Sequence, residues 1–258
     1  MQIVGEHARA VLREGRVVSV WARTSQAIFL GAEDEVLWVS PHPVLHRRAL
    51  VVTRLPHWPE GTVLTVREGS LVNGGRESLC FQAAARWSPP VLPQPPQDLA
   101  TRAAKLGPRF FALCGRVKEW LGASKVQRVQ EALRVKDGVD LMEAARDLVG
   151  TGPGLTPLGD DFLGGVLFAL HVARQDWFSR EWPKLRAWAQ GRTTSLSLCL
   201  LSDLSQGHGP DPLHALASAL FLGAVEELPH AAHRLLRVGH NTGAGLLCGA
   251  LLAWSALV

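Results

Sequence analysis

Five of the ten residues from Ser88 to Gln97 are proline (Ser-Pro-Pro-Val-Leu-Pro-Gln-Pro-Pro-Gln), and no regular element runs comfortably through such a stretch. Each proline lacks the amide hydrogen that a helix interior or a central strand requires, and its ring clashes with a continuing helical turn. The segment reads as a boundary, with a domain at residues 1–90, a proline-rich linker at 91–97 and a second domain at 98–258.

The periodicity of the hydrophobic residues changes across this boundary. Before it lie short β-branched and aromatic runs separated by turn residues: Val17–Trp21, Ala27–Leu30, Val36–Val39, Ala49–Val52 and Thr62–Val66. Runs of that length and spacing predict strands, and Val72-Asn73-Gly74-Gly75 predicts a hairpin turn because Asn and Gly accept positive φ. After the boundary, helical patterns cover Asp98–Trp120, Val126–Leu133, Leu141–Val149, Pro157–Arg174, Thr193–Leu204, Pro212–Leu228, Pro229–Val238 and Gly243–Leu257. The expected fold class is α+β, a β-rich barrel or sandwich followed by a mainly helical domain.

With 47% hydrophobic and 19% charged residues over 258 positions, the chain can bury a substantial core and is not disordered. Its formal charge of +4 is mild, and Arg47-Arg48 is the sole adjacent basic pair, without interleaved aromatics; a nucleic-acid partner is not expected. Cys80, Cys114, Cys199 and Cys248 lie too far apart for a structural zinc site. The start of the chain lacks a signal-peptide pattern, and the apolar stretch Gly243–Val258 is shorter than the roughly 20 residues of a membrane span. A cytoplasmic protein with no membrane partner is expected, and a homo-oligomer is compatible with this composition.

The most chemically pointed segment is Thr151-Gly-Pro-Gly-Leu-Thr156-Pro-Leu-Gly159-Asp160-Asp161. Glycines such as Gly154 and Gly159 allow close approach of a ligand, Thr156-Pro157 is a helix-start signal, and the first turn of a helix offers free amide donors to an anion. The helix beginning there is apolar nearly all round, so Asp160 and Asp161 stand at the start of a buried element. Gly164 and Gly165 follow the two aspartates at i+4 and leave room beside each, for a ligand or for a closely packed helix. Adjacent helical residues point about 100° apart, so one carboxylate can face a ligand while the other anchors a loop. Asp160 and Asp161 are candidate catalytic residues, and also candidate ligands for a metal such as magnesium.

Two further helix starts resemble partners of this segment. Arg192-Thr193-Thr194 combines a guanidinium with hydroxyls suited to a carboxylate or phosphate. Gly239-His240-Asn241-Thr242-Gly243 adds His240, a candidate for proton transfer, with Asn241, Thr242 and Gly243 as candidate binding residues.

Taken together, the three stretches resemble a family catalogued as a domain of unknown function that includes the AllH-type subunit associated with oxamate carbamoyltransferase. The residues that carry the resemblance are Gly154-Leu155-Thr156-Pro157-x-Gly159-Asp160-Asp161-x-Leu163-x-Gly165, Arg192-Thr193-Thr194-x-x-Ser197 and Gly239-His240-Asn241-Thr242-Gly243. Family members usually read Gly-His-Ser-Ser-Gly at the last of these, where this chain has Asn241-Thr242, and Gln206-Gly207-His208 stands where relatives tend to carry Gly-Glu. The resemblance implies carbamoyl transfer in purine-nitrogen (allantoin) degradation and partner subunits of a multisubunit complex. The leading expectation is an enzyme or enzyme subunit that binds a small anionic substrate, a carboxylate or carbamoyl phosphate, where the helix starts near Thr156, Arg192 and Asn241 converge. The alternative is a non-catalytic scaffold or regulatory subunit. A nucleotide-binding enzyme ranks lower, because the chain has no Gly-x-x-x-x-Gly-Lys-Ser/Thr sequence.

Overall fold

Each of the five β-branched runs forms a strand. The computed structural model describes residues 2–42, 44–74 and 77–257, and the chain divides into two compact units, Met1–Pro90 and Val91–Val258.

In the first unit the elements run β1 (Ile3–Gly5), α1 (Glu6–Val11), β2 (Val17–Arg23), β3 (Ile28–Ala32), β4 (Glu35–Ser40), β5 (Ala49–Val51), β6 (Val63–Arg67), β7 (Ser70–Asn73), β8 (Glu77–Cys80) and β9 (Ala85–Trp87). They form one nine-stranded sheet, ordered β8-β7-β6-β2-β3-β4-β5-β1-β9, that curls into a half-barrel. Of the barrel and sandwich alternatives, the barrel-like one is therefore the nearer. The β4/β5 and β1/β9 pairs are parallel, and the other neighbours antiparallel. Alternation along β2 buries Val18 and Val20 and exposes Val17 and Trp21, the period of two that a half-buried strand requires. Trp58, Leu30, Leu37, Leu64 and Leu71 fill the core of this unit. β1 and β9 are three residues each, too short to show alternation in the sequence. The expected hairpin joins β7 to β8, with Asn73 opposite Glu77 and Gly74 at φ +52°; Gly75 lies outside the described residues.

The second unit is helical: α2 (Leu99–Ala104), α3 (Pro108–Leu121), α4 (Ala123–Val135), α5 (Gly138–Arg146), α6 (Leu158–Val172), α7 (Trp182–Ala189), α8 (Ser195–Ser205), α9 (Asp211–Leu222), α10 (Leu228–Leu236) and α11 (Thr242–Ala256). The stretch expected as one helix from Asp98 to Trp120 is two, because Gly107 adopts φ +102° and Pro108 opens a new first turn. Likewise α9 stops at Leu222, where Gly223 takes a left-handed conformation. α7 was not foreseen; Pro183 sits in its first turn, a helix-start position that resembles a breaker.

Every residue of α6 from Leu158 to Leu170 is buried, and α6 packs on α11 and α8. Gly165 and Gly249 make the α6–α11 approach possible. A Cβ at Gly165 would lie 2.2 Å from the Leu246 carbonyl oxygen, and one at Gly249 would lie 1.9 Å from that of Phe162. A Cβ at Gly164 would meet the side-chain methyl of Leu204 in α8 at 2.5 Å, a neighbour that can shift more easily than a carbonyl. Of the two uses open to the glycines beside the aspartates, close helix packing is the one that the fold makes of them.

Candidate functional site

The loop between α5 and α6 is shaped by three glycines of positive φ, Gly150, Gly152 and Gly154. Gly150 is pressed against the Arg192 carbonyl oxygen, which a Cβ would approach to 2.3 Å, so the first and second sequence motifs touch backbone to backbone. Gly159 is equally constrained by the Leu148 carbonyl oxygen, at 2.0 Å from such a Cβ. Gly154 is exposed with open space beside it.

Asp160 is 1% exposed and fully engaged. One carboxylate oxygen accepts from the Gly150 amide at 2.8 Å. The other accepts from the Ser197 hydroxyl at 2.7 Å and from the Thr193 hydroxyl. Burial raises its pKa, and the bonds from Thr193, Gly150 and Ser197 work against that rise. Asp160 thus ties the loop before α6 to the start of α8.

Asp161 faces the other way, toward α11. A Cβ at Gly245 would lie 2.6 Å from that of Asp161, and the carboxylate oxygen Oδ2 is buried without a hydrogen-bond partner among the described residues. Burial pushes its pKa well above the usual carboxylate range; the Thr242 hydroxyl counters this, the neighbouring Asp160 charge adds to it, and the Thr156 hydroxyl counters it again. Thr156 and Thr242 are bonded to each other, Oγ1 to Oγ1, at 2.9 Å. Thr156 therefore does not cap α6: Pro157 occupies the cap position, and no side chain serves as cap. Its hydroxyl joins the first motif to the third.

Three of the first four amides of α6 are engaged within the chain. Gly159 donates to the Thr151 carbonyl at 2.9 Å, and Asp160 and Asp161 donate to the Pro157 carbonyl at 3.0 and 3.1 Å. Thr194 caps α8 by accepting from the Ser197 amide at 3.0 Å, and its own hydroxyl donates to the Leu155 carbonyl at 2.5 Å. Arg192 turns away: it is exposed, donates to the Trp188 carbonyl at 2.8 Å and lies over the Trp188 ring, 4.5 Å from its centroid. His240 is also exposed. Gly243 packs on the Leu235 carbonyl, 1.9 Å from where its Cβ would be.

A cavity of about 210 Å³ opens beside this junction. The first motif supplies Thr151, Gly152, Pro153, Thr156 and Leu158 to its wall, and the third supplies Asn241. Trp120 and Leu121 complete it from the end of α3; nothing in their sequence spacing singles them out. Ser197, by contrast, stood at the capping distance from Thr194. Among the described residues no group of three or more His, Cys, Asp or Glu side chains could hold a metal ion. The carboxylate pair does not fit magnesium, since three donors already occupy Asp160 and Asp161 points elsewhere.

Residues 148–254 match the model of the family described as oxamate carbamoyltransferase subunit AllH. The match runs from the loop before α6 into α11 and contains all three motifs, so the resemblance read from them is borne out over that stretch. No curated protein matches the chain, and no solved structure does.

Proposed function

We propose that this chain is a subunit of an oxamate carbamoyltransferase-type complex in allantoin degradation, and that its helical unit binds a small carboxylate in the cavity beside Thr156 and Asn241. One observation carries the reading: residues from two separate motifs of the family, Thr156 and Asn241, line one cavity, and the Thr156–Thr242 bond closes the junction behind them. The cavity's polar groups are the Thr151 hydroxyl, which donates to the Asp147 carbonyl, the Thr156 hydroxyl, bonded to Thr242, and Asn241; the hydroxyl oxygens keep acceptor capacity, and the Asn241 amide can donate to a carboxylate or accept from an amide. Asp161 acts from behind, against the hydroxyl pair, and Asp160 holds the surrounding loops in place. Arg192 and His240 are assigned no part in binding.

Calorimetric titration of the full chain with oxamate, oxalurate and carbamoyl phosphate tests this. At least one is expected to bind, and Thr156→Val or Asn241→Ala should weaken it about tenfold, the loss of roughly one hydrogen bond. Absence of any heat with all three would sink it. The fully engaged Asp160 favours a second reading, a scaffold subunit whose motifs knit helices together. Copurification with partner subunits combined with no response to these ligands would support that reading.

A further inference from the structure

Trp120 and Leu121 are the parts of the cavity wall that no sequence motif accounts for, and Trp120 is the exposed one. It lies outside the matched residues 148–254 and reaches the cavity from the last turn of α3, which Gly122 ends at φ +92°. Its neighbour Leu121 is buried at 2% exposure, whereas Trp120 is 64% exposed. Trp58 and Trp254 are wholly buried, whereas Trp120, like Trp21 at 41%, keeps much of its side chain in water, at a hydrophobic cost.

A flat aromatic face beside a few placed polar groups is the usual make-up of a small-molecule site. Here the polar groups are the Thr156 hydroxyl, joined to Thr242 in front of Asp161, and the Asn241 side chain. No Lys, Arg or His is among the described residues that line the cavity, so a neutral carboxamide or a singly charged carboxylate suits it better than a doubly charged phosphate. A planar molecule with a delocalised face and hydrogen-bonding edges matches this lining better.

We propose that Trp120 is a specificity-determining residue of this cavity: its indole packs on the flat face of a small planar carboxylate or carboxamide whose edges meet Thr156 and Asn241. The inference rests on the reading of the cavity as the ligand site.

The test is calorimetry on the full chain with oxamate, which is planar, and with lactate, which has a tetrahedral carbon beside its carboxylate. Trp120→Ala is expected to weaken oxamate about tenfold and to erase the preference for oxamate over lactate, while Trp120→Phe, which keeps a flat ring, stays within about threefold of the parent. Melting curves of both variants should match the parent, as befits an exposed side chain. Oxamate affinity unchanged within about twofold in Trp120→Ala overturns the inference and leaves the site standing. A parent chain that binds none of oxamate, oxalurate and carbamoyl phosphate overturns both the site and the inference, so the two failures are distinguishable.

Discussion

Asp160 and Asp161 are neighbours in sequence with opposite circumstances, and substitution should separate them. Asp160 accepts from three donors; Asp160→Asn replaces an acceptor oxygen by a donating amide and should destabilise the chain by about 2–3 kcal/mol in urea denaturation. Asp161 has a buried oxygen with no hydrogen-bond partner among the described residues and a pKa raised by burial. In the unfolded chain it ionises at its ordinary, lower value, so between the two values the folded state holds the extra proton. Stability from this group is thus full in acid and is lost as pH rises through that window. Asp161→Asn removes the titration and should raise stability at neutral pH by about 1 kcal/mol, flattening that part of the pH profile; a drop of similar size would show the carboxylate to be favourably held. His214 carries the opposite sign. Burial, with the His208 charge adding to it, lowers its pKa from 6.5 to about 4, while a hydrogen bond to the Gly209 backbone works the other way. The unfolded chain takes up the proton first as pH falls, so stability is whole above pH 6.5 and declines toward about 4, by about 3 kcal/mol at the limit. Comparing urea midpoints at pH 7 and pH 5 for the parent and His214→Gln measures it, with the variant expected to lose less on acidification.

At the scale of elements, the α6–α11 crossing positions the hydroxyl pair, and glycine sets its spacing. Gly249→Ala would force a Cβ to 1.9 Å from the Phe162 carbonyl oxygen and should cost about 2–3 kcal/mol as the helices part. Gly115, inside α3 with open space around it, serves as the control: Gly115→Ala should stabilise by about 0.5–1 kcal/mol, because nothing opposes the gain in helix propensity. The same crossing shows what the sequence could and could not disclose. The strands β2 to β6, the β7–β8 turn and the course of α6, α8, α10 and α11 follow from period and punctuation, which are local properties, whereas β1 and β9 are too short to do so. The purpose of Gly164 and Gly165 was undecided between ligand and helix, since only the identity of the neighbour across the gap answers it. Thr156 read as a cap by its position before Pro157, yet its hydroxyl bonds Thr242, 86 residues away, a partner that no local pattern specifies. Arg192 read as an anion clamp from its residue type, but Trp188, one turn earlier, takes its guanidinium. Trp120 joined the cavity with no warning at all, because an exposed tryptophan at a helix end is recognisable only when the cavity beside it is known.

For the whole molecule, the proline-rich segment falls where two hydrophobic cores separate. One core holds buried residues from Val4 to Phe81, the other from Leu99 to Trp254, and the division into compact units comes between Pro90 and Val91. Each core is built from its own segment, which is the physical requirement for a unit to fold alone. The second unit also contains every residue assigned to the cavity and the whole of the family match. Residues 91–258 expressed alone should therefore melt in one cooperative transition and bind oxamate within about threefold of the full chain, a difference of less than 1 kcal/mol. If the helical unit is folded by circular dichroism yet has lost the ligand, the first unit contributes to the site, and the assignment of binding to the helical half alone is wrong.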